Sequence, residues 1–358
     1  MPEYYIGIMC GTSLDSLDFS LCRFGRVNQI KIFKQYKLNQ ELRGIINICK
    51  NKPNNLGLFE KSDTAVTEYI IKCLEKFIKL SNTKSIRAIG FPGITIKHDP
   101  KNKISKVLGN SKVIAKRVKI KVVGNFRLTD MQAGGEGAPL APYFHEYISK
   151  SHKEFINILN LGGFANLTYR SNNRVNAFDT GPANYLIDLV CEKYFSIPFD
   201  KNGKLAKKHR ANEKALLDML SHKYFISTIP KSTGFEIFNS TWMNKFIRKF
   251  KIKNRYTLIA TITELTIISV SDAINSSNLD SSFIFFSGGG SRNNYIKNNI
   301  LKRTGLNEVK ALPYNLDYKN LEAAAFAWLA MKRDKQQLIN KSYITGAKSS
   351  RKLGIIYR

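Results

Sequence analysis

The 358-residue chain has no run of about 18 uncharged apolar residues, the length a membrane-spanning helix requires. Its longest candidate, Leu258 to Ile274, is interrupted by Glu264 and Asp272, so no membrane partner is expected. Cysteine is scarce. Cys10, Cys22, Cys49, Cys73 and Cys191 are odd in number, scattered and without a short paired spacing, which excludes a disulfide framework or a zinc site. The five histidines, His98, His145, His152, His209 and His222, form no metal-type spacing either. The segment MPEYYIG lacks a basic region followed by an apolar stretch, so no secretory signal and a cytoplasmic location are expected. Acidic residues are also few, 27 against 57 Lys and Arg, and the resulting charge of +30 points first to a nucleic-acid partner. The lysines, however, are spread along the chain beside Asn and Ile, with no basic block interleaved with aromatics. That scatter reads as compositional bias, so no nucleic-acid partner is expected; it remains compatible with a positive cleft that attracts an anionic substrate.

What the chain does have is three glycine turns, each leaving an apolar run. YYIGIMCGTSLDSLDFSLC (residues 4–22) places Gly11, Thr12 and Ser13 between strand candidates Tyr4 to Met9 and Phe19 to Cys22, with Asp15 and Asp18 close behind. Such a turn brings backbone amides and hydroxyls near a phosphate, and the two carboxylates can accept from a hydrated divalent ion or a water. An ordinary glycine hairpin has the same local pattern. FINILNLGGFANLTYR (155–170) repeats the design around Gly162 and Gly163, and SGGGSRNN follows the apolar run Phe283 to Phe286. Three such turns fit one nucleotide site, two gripping phosphates and the third supporting the adenosine.

The length predicts two domains with a cleft between them, and 43% hydrophobic content is ample to bury both cores. Helices are expected over about Asp63 to Leu80, Ala183 to Tyr194, Gly203 to His222, Thr261 to Ser276 and Leu321 to Lys332, and strands at Ala88 to Ile96, Ile120 to Gly124, Phe155 to Leu159 and Leu167 to Arg170. KHDPKNKISKV reads as a basic loop, and DMQAGGEGAPLAP (130–142) as an interdomain crossing or a loop lining the cleft. Strands followed by helices, twice over, predict two related α/β halves.

Several side chains carry chemistry. In AFDTGPANYLID, Asp179 ends a short strand before Thr180-Gly181-Pro182, a position suited either to a general base or to a helix N-cap. In FRLTD, Arg127 and Asp130 either hold an anionic ligand or pair with each other. Glu322 begins the late helix, where it caps the helix or reaches into a cleft. PKSTGFEIFN reads as a polar turn.

These segments together resemble the 1,6-anhydro-N-acetylmuramic acid kinases, within the actin-like ATPase superfamily of sugar kinases and chaperones. The matching stretches are CGTSLDSLD, FRLTD, AGGEGAPLAP, NLGGFANLT, FDTGPAN, PKSTGFEIFN, GGGSRN, EAAAFAWLA and TGAKSSRKLG, in order and almost end to end. The resemblance implies two ribonuclease H-like α/β domains flanking a deep nucleotide and sugar cleft. Residues 1–126, completed by the tail 345–358, form the first domain and 127–344 the second. It implies a kinase that opens the anhydro bridge with water and phosphorylates the freed 6-hydroxyl, giving N-acetylmuramic acid 6-phosphate and ADP in murein recycling. Asp179 is then the base that activates the water. The 11–18 turn (Gly11, Thr12, Ser13, Leu14, Asp15, Ser16, Leu17, Asp18), Gly162, Gly163, Gly288, Gly289, Gly290 and Asn293 bind ATP. Asp15 and Asp18 bind Mg2+, directly or through water, Arg127, Asp130 and Glu322 position the sugar, and the enzyme is a homodimer.

The chain also departs from that family. GFPGIT replaces the usual GxHGQT, so Pro92 and Ile94 stand for a His and a Gln. Cys10 stands for a Ser, Ser16 for a Gly, Asn125 for an Asp, Glu136 for a Gln and Phe235 for an Arg. A homologue that binds nucleotide with altered or lost sugar chemistry is therefore the alternative expectation. A ribonuclease H-like nuclease using Asp15, Asp18 and Asp179 is disfavoured, since it needs no glycine turns.

Overall fold

The computed structural model describes residues 2–11, 14–25, 29–149, 154–229, 231–340 and 344–358. Thr12 and Ser13 of the first turn, and His152, lie outside them. The strands in the first part of the chain are β1 (Tyr4–Cys10), β2 (Ser16–Arg23), β3 (Gln29–Lys37), β4 (Ile86–Gly90), β5 (Ile94–Asp99), β6 (Ile104–Leu108) and β7 (Lys121–Gly124). There follow β8 (Asn157–Leu161), β9 (Phe164–Ser171), β10 (Arg174–Pro182), β11 (Phe283–Ser287), β12 (Asn307–Glu308) and β13 (Ile355–Tyr357).

The chain divides into two compact units, Met1–His145 with Pro313–Arg358, and Glu146–Leu312. The expected boundary after residue 126 therefore moves to 145, and residues 313–344, expected in the second domain, pack in the first. The reason is the helix Leu321–Asp334, whose small apolar face covers β1, β2 and β4.

In the first unit the sheet order is β3-β2-β1-β4-β7-β13, with β1, β2 and β3 antiparallel and β1, β4 and β7 parallel. The alternation of β1 separates its two faces. Ile6, Ile8 and Cys10 join a core with Leu17, Phe19, Ile70, Leu74 and Phe77, drawing in the helix Leu56–Ser81. On the opposite face, Gly7 and Gly90 let the helix Leu321–Asp334 lie directly on the sheet. A Cβ on Gly7 would fall 1.7 Å from the Ala323 carbonyl oxygen, and one on Gly90 2.0 Å from that of Phe326.

The second unit repeats the order, β10-β9-β8-β11-β12, with β8, β9 and β10 antiparallel and β8, β11 and β12 parallel. Numbered within each unit, both five-strand sets read 3-2-1-4-5, the ribonuclease H-like arrangement. The helix Arg255–Asn275 is long and apolar enough to cross a membrane by length and composition, but most of it is buried in this unit's own core with Leu159, Leu186, Phe238 and Ile284.

Local expectations differ from the structure where charge hides a pattern. The segment read as a basic loop forms the β5–β6 hairpin, because Ile94, Ile96 and Leu108 anchor one side of it while its lysines stay partly exposed. The lysine-rich stretch 203–222 is not one helix. Asn202 and Gly203 have positive φ, and Asn212 caps a shorter helix, Glu213–Leu220.

Candidate functional site

In the first unit the turn between β1 and β2 closes through the Leu14 N–H on the Gly11 carbonyl (3.1 Å), with Leu14 left-handed at φ 56°. Leu14 and Leu17 are buried in the core, so these two positions, expected to bind nucleotide, offer a ligand no side chain. Asp15 is exposed and pairs with Arg43 at 3.4 Å. Asp18 accepts from Ser16 Oγ (2.8 Å) and Gln35 Nε2 (2.9 Å). Burial raises its carboxyl pKa, and those two donors oppose the rise. Among the described residues no group of three His, Cys, Asp or Glu forms a metal cage.

Arg127 and Asp130 sit on the helix Phe126–Gln132, and the structure separates their roles. Arg127 Nη1 donates to the Gly137 carbonyl (3.1 Å). The same loop is held from β5 by His98, whose Nε2 meets the Glu136 carbonyl at 2.9 Å and therefore carries the proton. Asp130 is fully buried. Its Oδ2 accepts from the Gly137 N–H (2.8 Å), and its Oδ1 from Thr345 Oγ1 (3.0 Å) and the Arg351 guanidinium. The assignment of Asp130 to sugar contact is corrected: it is an interior anchor that ties the 133–142 loop to the C-terminal tail, and its ion-pair partner is Arg351. Arg351→Met strands that carboxylate without its countercharge and is expected to cost about 3–5 kcal/mol. Urea unfolding measures it, and a loss under about 1 kcal/mol contradicts the assignment.

Burial, followed by the Arg127 charge, pushes the His98 imidazole down to about 4. Because the unfolded chain titrates near 6.5, it takes up the proton first, so His98 contributes stability that is complete above about pH 6.5 and is lost as pH falls toward 4. His98→Gln is expected to flatten that part of the stability–pH curve. Fully buried His145, pushed down to about 3 by burial, leaves a residual slope of the same sign. An unchanged curve in thermal unfolding between pH 7 and 4 contradicts this account of His98.

Pro92, Ile94 and Asn125, where the chain departs from the family's usual residues, are buried or tied to the fold. Pro92 and Ile94 are buried, Ile94 within the first core. Asn125, left-handed at φ 53°, donates to the Tyr357 hydroxyl (2.6 Å). Glu322 lies half-buried in the first turn of the helix Leu321–Asp334.

In the second unit the Gly162-Gly163 turn between β8 and β9 occupies the topological place that Gly11 has in the first. Its carbonyls are taken up by the next helix. The Gly163 carbonyl accepts from Ala183 (3.0 Å) and Tyr185 (3.1 Å), and Asn184 Nδ2 donates to the Leu161 and Gly162 carbonyls, both at 2.8 Å. The turn is thus fixed, while its amides point to no carbonyl of that helix. Gly290 is buried, and a Cβ there would meet Asn184 at 2.7 Å and Leu161 at 2.8 Å; Gly289 faces open space. Asn293 caps the helix Asn294–Thr304 and donates to the Asp200 carbonyl (3.4 Å). Gly290 and Asn293, expected to bind nucleotide, pack inside the glycine loop; Gly288 is half-buried, with a Cβ there meeting Asn160 Oδ1 at 2.3 Å and the Leu161 main chain at 2.8 Å, and Gly289 is exposed.

Asp179 does not end its strand, as its sequence context suggests, but lies within β10, which runs on to Pro182 through an irregularity between Asp179 and Gly181; it is half-buried and does not cap the helix Asn184–Phe195. Its Oδ2 accepts from the Thr233 N–H (3.0 Å), its own N–H donates to the Lys231 carbonyl (3.0 Å), and its carbonyl accepts from the Tyr224 hydroxyl. Phe235 packs edge-on against Phe164 and Tyr185, with ring centroids 5.2 and 4.6 Å apart.

Two ribonuclease H-like units in one chain, each with a glycine turn between its first two strands, define a protein of the actin-like ATPase class. A family model described as anhydro-N-acetylmuramic acid kinase matches residues 3–358. Proteins of that description are 34% identical over 370 residues in Sulfurimonas denitrificans (100% of both chains) and 35% over 373 in Coxiella burnetii (100% of this chain, 98% of the relative). A third, from Haemophilus influenzae, is 34% identical over 378 residues and covers 99% of this chain and 98% of its own. The chain belongs to the anhydro-N-acetylmuramic acid kinase family.

Proposed function

We propose that this chain uses ATP to convert 1,6-anhydro-N-acetylmuramic acid into N-acetylmuramic acid 6-phosphate and ADP. The observation that carries the reading is the family match over residues 3–358, with Asp179 kept in β10.

Asp179 takes a proton from the water that attacks the anomeric carbon. The bond from that carbon to the 6-oxygen breaks, the 6-oxygen takes the γ-phosphoryl group, and ADP leaves. The charge that develops is on phosphate, so the work of the chain is largely positioning. Gly11, Gly162, Gly163, Gly288 and Gly289 offer main-chain amides to the nucleotide without a side chain in the way. Arg127 and Glu322 orient the sugar.

Asp15 and Asp18 fit a largely hydrated Mg2+, since one carboxylate is exposed and the other half-buried with two donors on one oxygen. When bound, that ion neutralises phosphate charge. A cytoplasmic homodimer completes the reading, consistent with an intracellular nucleotide pool and buried, unpaired thiols.

The test is ADP release by purified protein with ATP, Mg2+ and the anhydro sugar in 18O-labelled water. The expected product is N-acetylmuramic acid 6-phosphate with label in its anomeric hydroxyl. Protein that binds ATP yet releases no sugar-dependent ADP overturns the proposal in favour of a homologue without sugar chemistry.

A further inference from the structure

Residues 231–233, within a segment that reads as a polar turn, meet Asp179 from as many as 54 residues away. Hydrogen bonds from this segment and from Tyr224 converge on this one residue. The Thr233 N–H donates to Oδ2 at 3.0 Å and the Lys231 carbonyl accepts from the Asp179 N–H at 3.0 Å. The third is the Tyr224 hydroxyl on the Asp179 carbonyl. Lys231 joins these together. Its ammonium donates to the Tyr224 and Phe225 carbonyls, both at 3.0 Å, and lies 4.9 Å from the centre of the Tyr224 ring. The short helix Lys223–Ile226 is thereby held against the end of β10. The Thr233 hydroxyl plays no part in the clamp: its oxygen is shielded from solvent and has no hydrogen-bond partner among the described residues.

Resting on Asp179 as the base, we infer that residues 231–233 and Tyr224 form its positioning device, with the main-chain N–H of Thr233 fixing the carboxylate and the Tyr224 hydroxyl fixing the backbone beneath it. A base held within a few tenths of an ångström of its working position needs such support, because misplacement by about 1 Å costs on the order of 10²-fold in rate. The donor on Oδ2 also favours the ionised form that a base requires. The titratable groups facing this site are Lys231, Tyr224 and Glu236; burial lowers the Lys231 pKa, and burial, then Asp179 and Glu236, raises that of Tyr224.

The experiment separates main chain from side chain. Thr233→Pro removes the N–H, whereas Thr233→Val keeps it and removes the unpartnered hydroxyl. With the wild type active, Thr233→Pro is expected to lower kcat at least about 100-fold, leave KM for ATP within about twofold, and move the acid limb of the kcat profile to higher pH. Thr233→Val is expected to keep kcat within about threefold, with the limb in place and Tm unchanged or higher. Tyr224→Phe, which keeps the ring, serves if the proline variant does not fold; it is expected to lower kcat about tenfold at unchanged KM for ATP. Thr233→Val as impaired as Thr233→Pro, or Tyr224→Phe with wild-type kcat, overturns the inference. Those results leave the activity itself standing. A wild type inactive on the sugar defeats the proposed function instead.

Discussion

Asp179→Asn is expected to lower sugar-dependent ADP release roughly 10²–10⁴-fold while ATP binding stays within about twofold. Asparagine keeps the size of the side chain, and its carbonyl oxygen still accepts from the Thr233 N–H, so the clamp around the end of β10 survives. What it loses is basicity, the one property by which the residue takes a proton from water. The loss therefore falls on kcat, with KM for ATP little changed. Calorimetric titration with ATP and a coupled ADP assay on the same preparation give both numbers. Wild-type turnover in Asp179→Asn removes this residue as the base and sends the assignment elsewhere in the chain.

Gly7→Ala and Gly90→Ala are expected to be the most damaging single-methyl additions in the first unit. In each the new Cβ meets main chain, the Ala323 carbonyl at 1.7 Å and the Phe326 carbonyl at 2.0 Å, so no rotamer change relieves the clash. The helix Leu321–Asp334 has to lift from β1 and β4, exposing Ala323, Ala324, Phe326 and Ala327, all buried in the native packing. Overpacking of side chains costs about 1–3 kcal/mol, and a backbone clash that displaces a core helix is expected to exceed that range, to about 4 kcal/mol or more. Soluble yield and urea midpoint report it. Gly289→Ala is the control, since a Cβ there meets nothing within 4 Å. Its stability is expected to change by less than about 0.5 kcal/mol, and an equal loss in all three variants contradicts the packing argument.

Much of the fold was legible because both sheets are built on strong local patterns. β1, β8 and β11 are apolar runs ending in glycine, and the repeated order of strands and helices announced two related halves. β3 and the helix Gln40–Asn51 were missed. QIKIFKQYK lies at a sheet edge with five exposed positions, so lysines and glutamines interrupt the alternation that marks a strand. The β5–β6 hairpin was hidden because its buried residues, Ile94, Ile96 and Leu108, flank the basic segment 97–107, which itself holds none.

The site was legible in type and less so in role. Glycine turns with nearby carboxylates are a local signal, and Asp179 before Thr180-Gly181-Pro182 stands out without any knowledge of its neighbours. Asp130 looked equivalent in sequence, three residues from an arginine on one helix. Its role was set by Arg351 and Thr345, more than 200 residues away. Gly290 and Asn293 likewise resemble ligand-binding residues locally and turn out to pack on Leu161, Asn184 and Asp200.

By itself, then, the order of residues determined the two α/β halves, the glycine turns and the family, because each of these is written in a short segment or in the succession of segments. Only the tertiary structure decided which carboxylate is sealed inside, which glycine makes room for a helix, and which distant amide holds Asp179. Burial and hydrogen-bond partnership depend on what long-range folding brings alongside, and no local spacing encodes that.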